Sequence, residues 1–159
     1  MLTRLLTASA AFLALTAFSD PAGRYTIDFP EGWGEPVTEN SIHTVKAPDA
    51  PASCNASAPD LPAIAGMTQD QIDAEMQVKL DAAGWANFIG TPAANIELVE
   101  GEVVPVGDTF MQIATLRIKE GAFAPIPMMT HMGLLFRPGY ALNAGCYAPV
   151  DGFDGLKDT

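Results

Sequence analysis

TFMQIATLRIK at residues 109–119, MMTHMGLLF at 128–136 and YALNAGCYA at 140–148 decide the fold. Apolar side chains dominate all three, and period-2 alternation marks them as strands. Gly107-Asp108, Glu120-Gly121 and Arg137-Pro138-Gly139 punctuate them. Connections this short between neighbouring strands dictate antiparallel pairing. Upstream, Asn95–Glu100 and Glu102–Val106 extend the pattern as two more strands, divided at Gly101. In the last strand Tyr140, Leu142, Ala144 and Cys146 share one face, which points Cys146 inward with the core.

Working back toward the N-terminus, Thr68–Ala83 reads as one helix. Thr68 is its N-cap, Gln71 completes a capping box, and Gly84 suits the left-handed position just past the end. Ile72, Met76, Leu80 and Ala83 form the buried stripe, and Glu75 and Lys79 are an exposed pair four residues apart. Before the helix, Tyr25, Ile27 and Phe29 alternate with Thr26 and Asp28 as a short strand, broken by Pro30-Glu31-Gly32-Trp33-Gly34. Ser41–Ala47 is a second strand, with Ile42, Thr44 and Lys46 on one face and His43 and Val45 on the other. Pro48, Pro51, Pro59 and Pro62 bracket a loop-rich segment that holds Cys54 in a short extended piece. Asp151–Asp158 opens a final helix, its acids near the positive end of the dipole. The sum is an α+β fold, an antiparallel sheet flanked by helices as an α-β-α sandwich.

Residues 1–19 form a signal peptide. Arg4 is the only charge before Asp20, Leu5–Phe18 is an apolar run shorter than the roughly 20 residues that span a bilayer, and Ala17 and Ser19 are small. Cleavage is expected between Ser19 and Asp20, with no cysteine there to carry a lipid. The remaining residues, 20–159, make one domain of ordinary size, expected in the periplasm or secreted, with no membrane span after cleavage. They carry seven Lys and Arg against nineteen Asp and Glu, a formal net charge of −12. Such a surface repels nucleic acid and anionic headgroups, which leaves cationic partners, metal ions or solubility.

Export also decides the cysteines. Cys54 and Cys146 are the only two, and in an oxidising compartment an even count pairs, so one disulfide is expected. The alternative is a redox or nucleophilic thiol. Against it, neither cysteine has a C-x-x-C neighbour or an evident basic helix start to lower its pKa.

Tyr25-Thr26-Ile27-Asp28-Phe29-Pro30-Glu31-Gly32-Trp33, the Leu142-Asn143-Ala144-Gly145-Cys146 strand and Phe153 resemble the PsbP-like family, photosystem II extrinsic proteins and their bacterial periplasmic relatives. The resemblance covers Tyr25 to Thr159. It implies a compact α-β-α sandwich that binds other proteins rather than turning over substrate, with no catalytic set and no cofactor to carry over. Members usually continue through a full C-terminal helix, so the stop at Asp158-Thr159 implies truncation.

Candidates for chemistry are few. Met128, Met129, His131 and Met132 are soft ligands of the kind that hold Cu(I), the basis for a periplasmic copper-binding alternative. Strand geometry sends Met128 and Met132 one way and Met129 and His131 the other, two ligands per side. His43 or His131 is the available base for a hydrolase, the other alternative; no Gly-x-Ser-x-Gly elbow accompanies them, and a ring beside a carboxylate or hydroxyl in a polar cleft would support that reading. Glu97, Glu100 and Glu102, and Asp151, Asp154 and Asp158, lack calcium-loop spacing and read as solvated faces. Asn55-Ala56-Ser57 matches a glycosylation sequon that is idle in a bacterial context. Trp33 and Trp85 are the candidate binding aromatics, with burial as the competing reading. The expectation is a non-enzymatic accessory protein with an envelope protein partner.

Overall fold

The computed structural model describes residues 18–122 and 124–156; most of the expected signal segment and Asp158 lie outside them. Seven strands form one sheet: β3 (Val37–Glu39), β4 (Ile42–Lys46), β5 (Ser53–Ser57), β6 (Ile96–Val106), β7 (Thr109–Ile118), β8 (Met128–Arg137) and β9 (Tyr140–Pro149), in the order β3-β4-β5-β9-β8-β7-β6. Every neighbour is antiparallel, as the short connections require. β9 is the hinge of this topology. It joins the 128–149 hairpin to β5, and through β5 to the whole N-terminal part of the sheet.

Three details depart from expectation. Asn95–Glu100 and Glu102–Val106 are not two strands; β6 is continuous, and Gly101 sits within the ladder opposite Ala114. The irregularity is a bulge between Leu98 and Glu100, which leaves Val99 exposed. β3 arises where no strand was expected, because Asn40 and Ser41 both adopt positive φ (50° and 63°) and close a tight hairpin onto β4. The Tyr25–Phe29 strand shrinks to β2 (Thr26–Ile27), which pairs with β1 (Phe18–Ser19) outside the main sheet.

The expected single helix is two. α1 (Gln69–Met76) starts on the predicted capping box, with the Gln71 amide donating to Thr68 Oγ1 and the Thr68 amide donating to Gln71 Oε1. It stops at Gln77, and α2 (Ala82–Ile89) begins afresh with Asp81 as N-cap, its carboxylate accepting from Gly84 N at 2.8 Å. Gly84 therefore lies inside a helix, and Gly90, at φ 79°, supplies the left-handed terminus. Ala83 turns outward and Lys79 falls in the linker, so the helical stripe and the Glu75–Lys79 pair break after Met76, although Leu80 still packs against the core from the linker.

The linker is held by Gln112 of β7. Its Nε2 donates to the carbonyls of Met76 (2.7 Å) and Val78 (2.9 Å), and its Oε1 accepts from Leu80 N. Peptide groups that a continuous helix would satisfy internally are satisfied by the sheet instead.

α1 packs on β7 and β8, and α2 packs on β6. Trp85 and Ala86 press on Ile96, Ala114, Leu116, Ile118, Met132 and Leu134 to form the main core. The opposite face is covered by the β1–β2 pair, by Trp33 and by a 3-10 helix, Val150–Leu156, in place of the predicted α-helical start. Phe153 anchors that turn against Met129, Ala148 and Ala52. The architecture is a large antiparallel sheet with two helices and one disulfide, an α+β fold.

Candidate functional site

Cys54 on β5 and Cys146 on β9 are bonded to each other and directly paired in register. Cys54 is buried, whereas Cys146 is only half-buried, because the main core lies on the other side of β9, at Ala141. The expected inward face is thus the thinner side of the sandwich.

On β8, Met128 and Met132 join the core beneath the helices, while Met129 packs with Phe153 and exposed His131 lies on the reverse face. The strand divides the four soft ligands as alternation requires, and His131 Nδ1 is engaged by Thr115 Oγ1 at 3.0 Å. Among the described residues no three His, Cys, Asp or Glu side chains gather to hold a metal ion. Glu97 pairs with Arg117 across the β6–β7 ladder.

His43 is 2 % exposed and sits beside both a hydroxyl and a carboxylate: Thr38 Oγ1 lies 2.8 Å from Nδ1 and Asp20 Oδ1 lies 3.7 Å from Nε2. These are the residue types of a hydrolytic triad. The geometry is not that of one. At 3.7 Å the carboxylate is beyond hydrogen-bond reach of the ring it would have to orient. Thr38 sits exposed on the outermost strand, where no low-dielectric pocket can form around a developing oxyanion. The Phe18 and Tyr25 rings lie against His43, with centroids 4.2 and 6.1 Å away. The cluster acts as a clasp that fastens the N-terminal strand pair to β3 and β4. Arg24 completes it by donating to Ala58 O and to Asp60 Oδ1, each at 2.6 Å, with its guanidinium over the Tyr140 ring.

Tyr25 within that clasp has a buried hydroxyl without a protein hydrogen-bond partner. Burial, reinforced by the negative charge of Asp20, pushes its phenol up to about 12. A cleft of about 440 Å³ opens between Ile27–Glu31 and the sheet, with His131 and the disulfide in its wall.

The two tryptophans take different positions. Trp85 is 0 % exposed and fills the core, while Trp33 is half-buried against the Met129, Ala148 and Phe153 cluster. Neither stands free as a docking indole. Asn55 of the sequon lies half-buried within β5.

The helix-bearing face is covered unevenly. α1 and α2 sit over β6, β7 and β8, whereas at the β3–β4 edge Val37 and Ile42 are 58 % and 41 % exposed. Register places Val37 opposite Thr44 and Ile42 opposite Glu39 and Ser57, so all of these lie on one face with Asn55. Between this edge and α2 a second cavity, of about 670 Å³, runs beneath Leu80 and Phe88. Sequence reasoning missed Gln112, Asn143 and Tyr147; the only signal was a polar group at core-facing strand positions.

No protein-family model matches the chain, and no curated protein matches it in sequence. Solved structures do match. The solution structure of cyanobacterial PsbP (CyanoP) from Synechocystis sp. PCC 6803 aligns with a TM-score of 0.56 at 12% identity, covering 95% of this chain and 89% of that one. The fold is PsbP-like. A Pseudomonas aeruginosa protein of unknown function, PA94, aligns with a TM-score of 0.52 at 12% identity over 90% of this chain and 88% of that one. In PsbP-like terms, the Tyr25–Trp33 segment and the Leu142–Cys146 strand, which carry the resemblance in sequence, lie together on the thinner face of the sheet. No described helix is long and apolar enough to cross a membrane.

Proposed function

We propose that this protein is an exported accessory protein of the bacterial cell envelope, which works by binding another envelope protein and performs no turnover. The observation that carries the reading is the β3–β4 edge, where Val37 and Ile42 stay exposed on a sheet face that the helices leave uncovered. Isolated surface aliphatic residues need no explanation, but two on one face of an edge hairpin suit a protein contact. The PsbP-like fold supports a binding role, with α1 and α2 as one helical layer of the α-β-α sandwich typical of that family. The formal charge of −12 after cleavage steers toward a basic partner.

Export through residues 1–19 belongs to the same proposal. Cleavage between Ser19 and Asp20 would release Phe18–Ser19 from β2 and leave Asp20, with its carboxylate beside His43, as the first residue. Intact mass of the protein recovered from the envelope tests that position.

The partner is tested by affinity capture of the tagged mature protein from its native envelope, alongside Val37→Lys. One reproducible partner, lost with the variant, is expected. Failure to recover any partner reproducibly would remove the main support for this role.

A further inference from the structure

Asn55 of β5, paired across the ladder with Gly145, and Asn143 of β9, two residues before that glycine, share the helix-bearing face, and their side-chain carbonyl oxygens are both buried without a protein hydrogen-bond partner. Both residues line the cavity of about 670 Å³ beneath α2. Its other walls include Leu80, Phe88, Phe136 and the Tyr147 ring, and no lining residue is charged. Size, apolar walls and a few convergent polar groups are the attributes of a small-molecule site.

We infer that this cavity binds an uncharged, largely apolar small molecule that donates N–H or O–H hydrogen bonds to Asn55 and Asn143. The charge follows from the walls. With no Lys, Arg or His a buried anion has no counter-charge, and with no Asp or Glu the same holds for a cation. The polarity follows from the orphaned oxygens. A buried carbonyl without a donor is costly, and a ligand that supplies the donor recovers that cost on binding. Burial raises the pKa of the Tyr147 phenol in the same wall, and the neighbouring Asn55 side chain opposes that shift. Gly145, opposite Asn55 and two residues from Asn143, adds no side chain to this part of the face.

The cavity meets the proposed envelope contact at Ile42, which lines it, but the probe comparison reads small-molecule binding and does not depend on any protein partner. The site is invisible along the chain, because Asn55 and Asn143 are 88 positions apart. Only the β5–β9 register brings them together.

The test uses N-phenyl-1-naphthylamine, an uncharged fluorophore with one N–H that brightens in apolar surroundings. Two relatives serve as controls: its N-methyl derivative, which lacks the donor, and 1-anilino-8-naphthalenesulfonate, which adds a negative charge. Saturable binding of the parent at one site is expected, about tenfold tighter than either control, the value of one buried hydrogen bond. Asn143→Leu should bring the parent to the level of its N-methyl derivative while raising the thermal midpoint, since it removes an unpartnered acceptor. The three-probe comparison on the unaltered protein needs no variant to fold. Absence of saturable binding, equal affinity for the parent and the N-methyl derivative, or preference for the sulfonate would each overturn the proposal.

Discussion

Cys54 and Cys146 face each other across the β5–β9 ladder with their Cα atoms 3.9 Å apart, although 92 residues separate them in the chain. Among the described residues β9 is the one strand that ties β3, β4 and β5 to the rest of the main sheet, and the disulfide is placed on that seam. A loop of this length makes the bond worth about 4 to 5 kcal/mol by chain entropy. Cys54→Ala with Cys146→Ala should therefore lose about that much in denaturant unfolding. Amide exchange should rise more in residues 42–57 than in residues 109–118. Equal acceleration in both segments would show that the bond does not act through the seam.

Gln112 supports a second prediction, because a single buried side chain satisfies three backbone groups of the α1–α2 linker. Gln112→Met conserves volume but leaves the Met76 and Val78 carbonyls and the Leu80 amide without partners. Unfolding free energy should fall by roughly 3 kcal/mol. A loss under about 1 kcal/mol would mean that water replaces the side chain and that the linker does not depend on it.

What was legible and what was not divides along physical lines. β7, β8 and β9 were readable because alternation and short connections are local properties, and Cys54–Cys146 was readable because an even cysteine count in a chain with an expected signal segment favours pairing. The break between α1 and α2 was not. Ile72, Met76 and Leu80 continue a helical period straight through it, and the group that stabilises the interruption, Gln112, lies on a distant strand. Asp81 was a visible N-cap, but reading Gly84 as a terminus concealed it. Gly101 read as a turn because a glycine inside a long strand and one between two short strands look alike; the bulge at Val99 distinguishes them only in three dimensions. At the candidate sites, residue types were visible while their grouping was not. The methionines and His131 sort onto opposite faces as alternation predicts, but Asn55 with Asn143, and Asp20 with His43, meet only through long-range pairing.

Gly145 is fixed by close approach of backbones. A Cβ there would lie 2.7 Å from Met132 Cβ and 3.1 Å from His131 O, atoms that cannot move without shifting β8. Gly145→Ala should destabilise by about 1 to 3 kcal/mol. Gly84→Ala is the contrasting case. Its Cβ would meet the flexible end of Leu80 at 3.0 Å, beside the cavity, and the helix gains from losing a glycine. That variant should be neutral or more stable by about 0.5 kcal/mol. Similar losses from the two substitutions in chemical denaturation would contradict the distinction between rigid and yielding neighbours.

Tyr25 gives the pH dependence. Its phenol rises from 10.0 to about 12 on folding, through burial first and the Asp20 charge second. Between those values the unfolded chain releases a proton that the folded protein retains, so stability falls as pH increases. The contribution is intact below about pH 10 and is lost as pH climbs toward 12. Tyr147 is shifted upward by burial as well and adds to the same decline. Tyr25→Phe should flatten the stability profile in this window and leave stability at neutral pH unchanged or higher, because the hydroxyl it removes is buried without a partner. Asp20→Asn should keep the ring in place but lower its titration midpoint, read from tyrosinate absorbance. A Tyr25 midpoint near 10.0 in the unaltered protein would show that the clasp over His43 stands open in solution.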